Sequence, residues 1–353
     1  MTKTIVLLPG DGVGPEVTKA AEVILTAVSN AFDLGLSLRS FAFGGAAIDE
    51  TGDPLPPETL SACQSADAVF LGAVGGPKWD DQSVRPETGL LRLRKALDVF
   101  ANLRPTRIYK SLLNRSPLRT VTPQTDFVIV RELVGGIYFG ERSEGTECAS
   151  DVCLYEAHEV ERIARVAFEA AQKRSCRLVS VDKANVLASS RLWRAVVTDL
   201  GAREFSDVAL DHMLVDAMAM RLIQSPNEFD VIVTENMFGD ILSDEASVIS
   251  GSIGLSPSAS LGATGQGLYE PIHGSAPDIA GQDIANPIGA VASAAMMLRY
   301  SFAAEAAAKA IETAIETVIS SGQLTRDLGG ALSCSAVTDR LLGALGDSAV
   351  MSS

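Results

Sequence analysis

The sequence lacks the features that mark zinc-binding, membrane-spanning or exported proteins. Its five cysteines are odd in number and include no CxxC pair, so they give no zinc site and indicate reduced thiols. No apolar run approaches the roughly 18 residues needed to span a membrane. The N-terminal stretch MTKTIVLLPGDG enters a predicted strand directly and contains no signal-peptide cleavage region. We therefore expect a cytoplasmic protein without a membrane partner.

Positive charge is also scarce. The chain has 29 basic and 44 acidic side chains, which gives a formal net charge of −15. That balance argues against nucleic acid and against an anionic membrane surface as partners. The length of 353 residues and the apolar fraction of 47% are those of an ordinary globular protein with about two domains.

Strand-like and helix-like segments alternate along the chain, which predicts an α/β protein with much parallel sheet. The first predicted strand, at 4–8, leads into a glycine-rich turn, PGDGVGPE (9–16), that is similar to a dinucleotide-binding fingerprint. The third glycine of GxGxxG would fall at Pro15, so we reject a Rossmann unit here. The pattern also predicts a helix over 87–102, an arm or hairpin over 140–155, a helix over 208–222 and a long irregular loop over 261–287.

One stretch, DVIVTENMFGDILSDE (230–245), combines a short β-branched run with a helical segment that contains Asp240 and Asp244. Four residues apart, these two carboxylates lie on one face of a helix, where like charges oppose each other. A hard divalent cation such as Mg²⁺ or Mn²⁺ would turn that repulsion into binding. The alternative is a helix whose acids simply face water.

Basic residues are concentrated in one window of this acidic chain. Between Arg92 and Arg131 there are nine basic residues, opposed only by Asp98 and Asp126, so the window has a net charge of +7. Arginine holds carboxylates in a bidentate fork. Together with the paired aspartates, the window suggests a small polyanionic acid held between arginines and a metal, although a solvated basic surface is the simpler interpretation of the window alone.

Seven segments together resemble the β-decarboxylating dehydrogenases, the family of isocitrate and isopropylmalate dehydrogenases. They occur in the family's order and extend over almost the whole chain: PGDGVGPE (9–16), LRLRKALDVFANLRP (91–105), RELVGGIYFGE (131–141), SVDKANVL (180–187), VDAMAM (215–220), TENMFGDILSD (234–244) and LYEPIHGSAPDIAGQDIANP (268–287).

The resemblance implies two α/β domains that share a large mixed sheet and contain no Rossmann fold. An NAD-binding domain would combine both termini, 1–98 and 252–353. A substrate, metal and dimerisation domain would span 99–251, with an arm near 140–156 that pairs with a second subunit.

The resemblance also assigns roles to individual residues. Tyr138 and Lys183 would be catalytic, and Asp216, Asp240 and Asp244 would bind Mg²⁺ or Mn²⁺. Lys183, Asp216 and Val186 would enter the site from the partner subunit of a homodimer. The implied substrate-binding residues are Arg94, Arg104, Arg131, Asp216, Glu87, Leu90, Leu91 and Val186. The implied NAD-binding residues are Gly75, Glu87, Thr88, His273, Gly274, Ser275, Ala276, Pro277, Asp278 and Asn286.

The implied reaction is the NAD-dependent oxidation and decarboxylation of 3-isopropylmalate to 4-methyl-2-oxopentanoate, a step of leucine biosynthesis. Lys183 would act as the base and Tyr138 as the proton donor to C3. Leu90 and Leu91 stand where isocitrate-specific relatives have a serine, which favours a branched alkyl substituent. Homoisocitrate, isocitrate and tartrate or malate remain alternative substrates, and a catalytically silent regulatory or acid-binding subunit is the alternative outside the enzymes.

Overall fold

The computed structural model describes residues 2–350, with side chains for residues 2–346. No helix within that range is both long enough and apolar enough to cross a membrane. The predicted large mixed sheet is present and has ten strands, and the chain forms two compact units, each with its own buried core. The first consists of Met1–Val99, Tyr109–Arg115 and Gly251–Ser353, and the second of Phe100–Ile108 and Ser116–Ser250.

Strands and helices alternate through most of the described chain. The strands are β1 Lys3–Gly10, β2 Leu36–Ser40, β3 Ala68–Ala73, β4 Ala101–Arg107, β5 Asp126–Glu132, β6 Arg142–Ser143, β7 Ser150–Asp151, β8 Arg177–Asp182, β9 Ala209–Leu214, β10 Val231–Thr234, β11 Pro257–Leu261 and β12 Gly267–Pro271. The helices are α1 Gly14–Ala31, α2 Gly45–Thr51, α3 Pro57–Ser65, α4 Pro86–Ala96, α5 Ala157–Gln172, α6 Ala188–Glu204, α7 Val215–Gln224, α8 Asn236–Ile249, α9 Ile288–Tyr300, α10 Glu305–Ser320 and α11 Cys334–Val350.

The first unit contains strands in the order β2-β1-β3-β12-β11. Strand β1 pairs in parallel with β2 and β3, and β12 runs parallel to β3 but antiparallel to β11. Apolar side chains of three of these strands, Leu8, Leu71 and Leu268, pack with Leu93 of α4 in one buried cluster. Helix α4, which contains several predicted site residues, is therefore anchored on this sheet.

The second unit contains strands in the order β4-β5-β10-β8-β9. Strands β4 and β5 are antiparallel, whereas β5, β10, β8 and β9 are parallel neighbours. Ile129, Ile232 and Val181 of three adjacent strands pack against Leu242 of α8. The predicted α/β class with mixed, largely parallel sheet is confirmed, and α8 lies directly after the central strand β10.

Helix α5 shows how directly the local pattern specifies structure here. Its buried residues include Val160, Ile163 and Phe168, which repeat at helical spacing. Glu161 and Arg165 form an ion pair one turn apart on this helix, with 3.3 Å between Oε1 and Nη2. The predicted arm is also present, since β6 and β7 form a two-stranded antiparallel hairpin.

Three predictions of secondary structure are wrong. The helix predicted over 87–102 ends at Ala96, since Asp98 has a φ of 46°, a left-handed conformation that aspartate tolerates and a helix does not. Residues that follow form β4, so Arg104 lies on a strand and not at the end of the same helix as Arg94. The helix predicted over 208–222 begins only at Val215, after β9, and the loop predicted over 261–287 contains β12. Helix α6 was not predicted.

Candidate active site

Two arginines of the second unit converge on the acids of α8. Arg131, on β5, is 2% exposed and forms an ion pair with Asp240. Arg104, on β4, lies 3.6 Å from Asp240 and 3.5 Å from Asp244, measured from its Nη1 to the Oδ1 atom of each. Helix α8 packs against both of the adjacent antiparallel strands β4 and β5, and this arrangement brings residues that are far apart in sequence into one charged cluster.

Tyr138 joins the same cluster. Its hydroxyl donates a hydrogen bond to Asp240 Oδ2 across 3.1 Å, and the Arg131 guanidinium lies over its ring at 5.9 Å from the centroid. Burial first, and then the negative charge of Asp240, raise the pKa of the phenol above its usual value of about 10. The hydroxyl therefore stays protonated at neutral pH and is able to donate its proton.

The electrostatics of Asp244 fit a cation site. Burial is the main cause of its raised pKa, and the neighbouring charge of Asp240 acts in the same direction, whereas Arg104 opposes both. Two carboxylates one turn apart in the middle of α8, with Asp240 half-buried and Asp244 exposed, offer hard oxygen atoms of the kind that suit Mg²⁺ or Mn²⁺. The predicted pairing of Asp240 and Asp244 is thus compatible with a divalent ion.

Asp216 does not complete that set within one chain. The carboxylates of Asp216, Asp240 and Asp244 do not all come within 4.8 Å of one another. Asp216 instead accepts a hydrogen bond of 2.6 Å from Lys183 Nζ, and this contact lowers the pKa of its carboxyl group. Val186, in the turn after Lys183, is 63% exposed. These three residues form a second, more exposed group in the same unit.

Helix α4 presents the remaining predicted substrate residues in the first unit. Arg94 is 7% exposed and donates from Nη2 to Glu270 Oε1 at 2.8 Å, while its buried Nε has no hydrogen-bond partner. Leu90 is half-buried and packs against the core, and Leu91 is half-buried. Glu87, Leu90, Leu91 and Arg94 occur at i, i+3, i+4 and i+7, so they share one face of the helix.

The predicted cofactor residues of the first unit lie in loops. Ser275 accepts a hydrogen bond of 2.8 Å from the backbone of Val13 in the glycine-rich turn, and Ala276 has a φ of 40°. His273 Nε2 is buried without a partner, and burial lowers the pKa of this imidazole. Gly274, Pro277 and Asp278 are exposed, as are Glu87 and Thr88 on α4. Gly75 has a φ of 102°, and a side chain there would collide with Glu87.

Asn286 holds the end of this loop. Its side-chain amide donates to Asp327 at 2.9 Å and accepts from the backbone of Ile288 at 3.0 Å. Asn286 is buried, and both of these bonds are made within the protein. Its contact with NAD stays a prediction. The buried, unpaired Nε2 of His273 beside exposed loop residues is compatible with a polar ligand.

The sequence analysis missed several residues that support the charged cluster. Ser243 accepts a 2.6 Å hydrogen bond from Arg104, and Asn102 accepts one of 2.7 Å. Asn236 accepts two hydrogen bonds from Arg131, at 3.1 Å and 2.8 Å. Asn236 and Ser243 are both within the motif TENMFGDILSD, but their contacts with Arg131 and Arg104 join residues more than 100 positions apart, which local spacing does not reveal.

A buried group of two acids and a phenol lies on the other side of Asn236. Tyr155 donates to Glu132 Oε2 at 3.1 Å and is 3.5 Å from Glu235 Oε2. Burial raises the pKa of both carboxyl groups, so their protonated forms are favoured. Glu132 and Glu235 lie within the motifs RELVGGIYFGE and TENMFGDILSD, but nothing in those motifs marks the two acids as buried, and no local pattern singles out Tyr155.

Comparison with known proteins agrees with this arrangement. The profile described as "Isocitrate/isopropylmalate dehydrogenase" matches residues 4–341. Proteins named 3-isopropylmalate dehydrogenase are 55% identical in Bacillus licheniformis, over 98% of this chain and 97% of the relative, and 58% identical in Geobacillus kaustophilus, over 92% and 89%.

Solved structures give the same result for the fold. The crystal structure of isocitrate dehydrogenase from Methylococcus capsulatus has a TM-score of 0.88 and 31% identity, and covers 98% of this chain and 99% of that one. A β-decarboxylating dehydrogenase from Thermococcus kodakarensis, in its apo form, has a TM-score of 0.82 and 36% identity, and covers 99% and 98%. The chain belongs to the isocitrate/isopropylmalate dehydrogenase family.

Proposed function

We propose that this chain is a 3-isopropylmalate dehydrogenase, which oxidises and decarboxylates 3-isopropylmalate to 4-methyl-2-oxopentanoate in leucine biosynthesis. The observation on which the proposal rests is the convergence of Arg104, Arg131 and Tyr138 on Asp240, in a chain whose relatives named above are 3-isopropylmalate dehydrogenases. Two buried arginines supply the forks that a dicarboxylate needs, and a protonated phenol supplies an acid.

Arg94, Arg104 and Arg131 bind the carboxylates of the malate part of the substrate. Arg104 and Arg131 are already held by their neighbours, so little side-chain freedom is lost when substrate binds. Arg94 has a buried Nε without a partner, and a substrate carboxylate would satisfy it. Glu87, Leu90 and Leu91 share the helix face of Arg94 and contact the substituent on C3.

Asp240 and Asp244, together with Asp216 of the partner subunit, hold Mg²⁺ or Mn²⁺ in this proposal. The hard oxygen atoms and the mutual repulsion of Asp240 and Asp244 support it. A divalent ion held there would supply the positive charge that acidifies the C2 hydroxyl and stabilises negative charge, and NAD⁺ in the loop of the first unit would be the acceptor of the C2 hydride.

The side chains of the protein move the protons. Lys183 of the partner subunit removes the proton of the C2 hydroxyl as C2 is oxidised to a ketone. The β-keto acid then loses its C3 carboxylate as CO₂, and the electron pair of the broken bond forms an enolate. Tyr138 donates its proton to C3 of that enolate, and solvent returns a proton to the phenolate. The raised pKa of Tyr138 suits a group that must remain protonated until this last step.

NAD binding is proposed for the loop of His273, Gly274, Ser275, Ala276, Pro277, Asp278 and Asn286, with Gly75, Glu87 and Thr88. The unpaired, buried His273 Nε2 supports a polar ligand there. Asp278 is exposed, and a carboxylate can accept hydrogen bonds from ribose hydroxyls while it repels a 2′-phosphate. NAD⁺ is therefore preferred over NADP⁺.

A homodimer with shared active sites explains the separate position of Lys183 and Asp216. Exposed apolar side chains of the second unit include Val152 and Leu154 next to the arm, and Met220, Ile241 and Val248 on α7 and α8. Such a set of apolar side chains is typical of a protein interface. The cytoplasmic location remains a prediction.

The experiment that tests the proposal measures products. Purified protein is incubated with 3-isopropylmalate, NAD⁺ and Mn²⁺, and NADH, CO₂ and 4-methyl-2-oxopentanoate are quantified. We expect the three products in equal amounts. Arg131→Lys, which keeps the charge but loses the planar fork, should reduce the rate, whereas Arg203→Lys, at an exposed position on α6, should not. Absence of all three products with the wild-type protein would refute the proposed function.

A further inference from the structure

Asn236 occupies the centre of the hydrogen-bond network that surrounds the proposed proton donor. It is the first residue of α8 and is 1% exposed. Its Oδ1 accepts from Arg131 Nε at 3.1 Å and from Arg131 Nη2 at 2.8 Å. Its Nδ2 donates to the carbonyl oxygen of Gly135 at 3.0 Å. One amide thus connects a strand arginine to the turn that contains Tyr138.

Chemistry fixes the orientation of this amide. A guanidinium group only donates hydrogen bonds and a backbone carbonyl only accepts them, so the oxygen must face Arg131 and the NH₂ group must face Gly135. No other residue type of similar size offers an acceptor and a donor at these two positions. Aspartate lacks the donor, and leucine lacks both groups.

The turn beyond Gly135 depends on the same contacts. Gly136 has a φ of 71°, and a side chain at that position would collide with the hydroxyl of Tyr155. That hydroxyl accepts a hydrogen bond of 3.0 Å from the backbone N–H of Asn236. The Asn236 side chain thus holds the start of the Gly136–Tyr138 turn at Gly135, and its backbone N–H bonds to the Tyr155 hydroxyl that lies close to Gly136.

The network closes on Asp240. Arg131 pairs with one oxygen of this carboxylate and Tyr138 donates to the other, so the two residues that Asn236 connects meet again one turn further along α8. A displacement of the amide would thus alter the angle of the arginine fork and the position of the phenol together. Both groups contact substrate in the proposed reaction.

We propose that Asn236 is a positioning residue that couples carboxylate binding by Arg131 to proton donation by Tyr138. The inference rests on the proposed function for the identity of the reaction. It goes beyond that function because it assigns to one buried amide the joint control of a binding group and an acid.

The test compares Asn236→Ala and Asn236→Asp in the full-length protein. Asn236→Ala loses both contacts, so we expect KM for 3-isopropylmalate to rise and kcat to fall, each by about tenfold. Asn236→Asp keeps an acceptor for Arg131 but loses the donor to Gly135, so kcat should fall similarly while KM stays nearer the wild-type value. Asn227→Ala, which removes an exposed asparagine that also bridges two segments, is the matched control.

A purely structural role predicts a different result. It would reduce the amount of folded enzyme and leave the KM of the remaining enzyme unchanged, and the two variants would behave alike. In addition, the effect of Asn236→Ala on KM should shrink when Arg131 is already replaced by lysine, since the two changes remove the same contact. Unchanged KM and kcat in Asn236→Ala, or fully additive effects, would overturn the proposal.

A measurement without turnover separates this inference from the proposed function. The ring signal of Tyr138 is recorded by NMR at neutral pH in protein with ¹³C-labelled tyrosine, and it is assigned with Tyr138→Phe. We expect its chemical shift to change in Asn236→Ala, since the phenol loses its position beside Asp240, and to keep the wild-type value in Asn227→Ala. If the chemical shift does not change in Asn236→Ala, the coupling is absent, whatever substrate the wild-type enzyme uses.

Discussion

The hydroxyl of Tyr138 donates a 3.1 Å hydrogen bond to Asp240, so the proposed proton donor is bonded directly to a carboxylate that is also a proposed metal ligand. Asp240 also pairs with Arg131 through its other oxygen. A carboxylate has about four lone-pair positions, which leaves acceptor capacity for a cation beside these two donors. Metal binding and the position of the Tyr138 hydroxyl therefore both depend on Asp240, whereas Asp244 pairs with Arg104.

Asp240→Asn and Asp244→Asn are expected to raise the Mn²⁺ concentration needed for half-maximal activity by at least tenfold, since each removes a charged ligand. Their stabilities without metal should differ. Asp240→Asn leaves the buried Arg131 without its charged partner and should lower the free energy of unfolding by about 1–2 kcal/mol. Asp244→Asn relieves repulsion and should stay within about 0.5 kcal/mol of wild type.

The measurements are a Mn²⁺ titration of activity and a melting curve in chelator. Asp199→Asn, an exposed aspartate on α6, serves as the control and should change neither. An unaltered metal requirement in both variants would remove α8 from the metal site.

The shared active site predicts complementation between inactive subunits. Lys183→Met and Tyr138→Phe should each abolish most activity, but a re-associated mixture should recover part of it. In a mixed dimer one site would carry both defects and the other would carry neither. Tyr138→Phe mixed with Asp240→Asn is the control, and it should not recover, since both residues belong to the same chain's site. Failure of the first mixture despite demonstrated subunit exchange would argue against shared sites.

The cofactor preference should depend on Asp278. We expect kcat/KM to be at least 100-fold higher with NAD⁺ than with NADP⁺, since a 2′-phosphate would place extra negative charge beside this carboxylate. No arginine or lysine lies between His273 and Pro287 to offset it. Asp278→Ala should reduce the ratio, while Asp339→Ala, another exposed aspartate of the same unit, should leave it unchanged. Equal kcat/KM values for the two cofactors would show that this loop does not discriminate.

The buried acids predict a characteristic pH dependence of stability. Burial raises the pKa of Glu132, so the folded state binds its proton more tightly than the unfolded state does. Stability from this group is present at a pH below the usual carboxyl value and is lost as pH rises through the raised, folded-state pKa. The side chain of Glu132→Gln stays neutral at every pH. As the pH rises from about 4.5 to neutral, the free energy of unfolding of this variant should therefore fall less than that of the wild type.

Thermal unfolding across that range measures the difference. Glu204→Gln is the control of opposite sign, since hydrogen bonds from Arg165 and Arg203 lower the pKa of Glu204 to about 2. Its contribution is lost only as pH falls below the usual carboxyl value, so this variant should follow the wild-type curve above pH 4.5. Parallel curves for wild type and Glu132→Gln would contradict a raised pKa at Glu132.

Much of the fold could be predicted because its elements have strong local patterns. The run Val231–Thr234 is β-branched and buried, and the acids that follow it lie at helical spacing, so the strand and helix around Asp240 were correctly predicted. The boundary after α4 was not, since Leu93, Leu97 and Phe100 fit a helical stripe although the chain turns at Asp98. Apolar spacing cannot detect one left-handed residue.

The site itself was only partly predictable. Arg131, Asp240 and Asp244 could be named because charge and spacing distinguish them. Asn236 and Ser243 could not, since their roles arise from pairings across β4, β5 and α8 that no local pattern records. The pairing of Lys183 with Asp216 is likewise a contact, between the residue that follows β8 and the first turn of α7, that sequence spacing does not reveal.

The substituent on C3 decides most directly whether this enzyme is a 3-isopropylmalate dehydrogenase, and kcat/KM for 3-isopropylmalate, isocitrate and malate measures it. Burial of an isopropyl group against Leu90 and Leu91 should favour 3-isopropylmalate over malate by about 10–100-fold, at about 0.8 kcal/mol per carbon. Isocitrate should be worse by several orders of magnitude, since its third carboxylate would lose water without gaining a partner. Leu90→Ser should reduce both the preference for 3-isopropylmalate over malate and the preference for 3-isopropylmalate over isocitrate. A wild-type preference for isocitrate would contradict the proposed function.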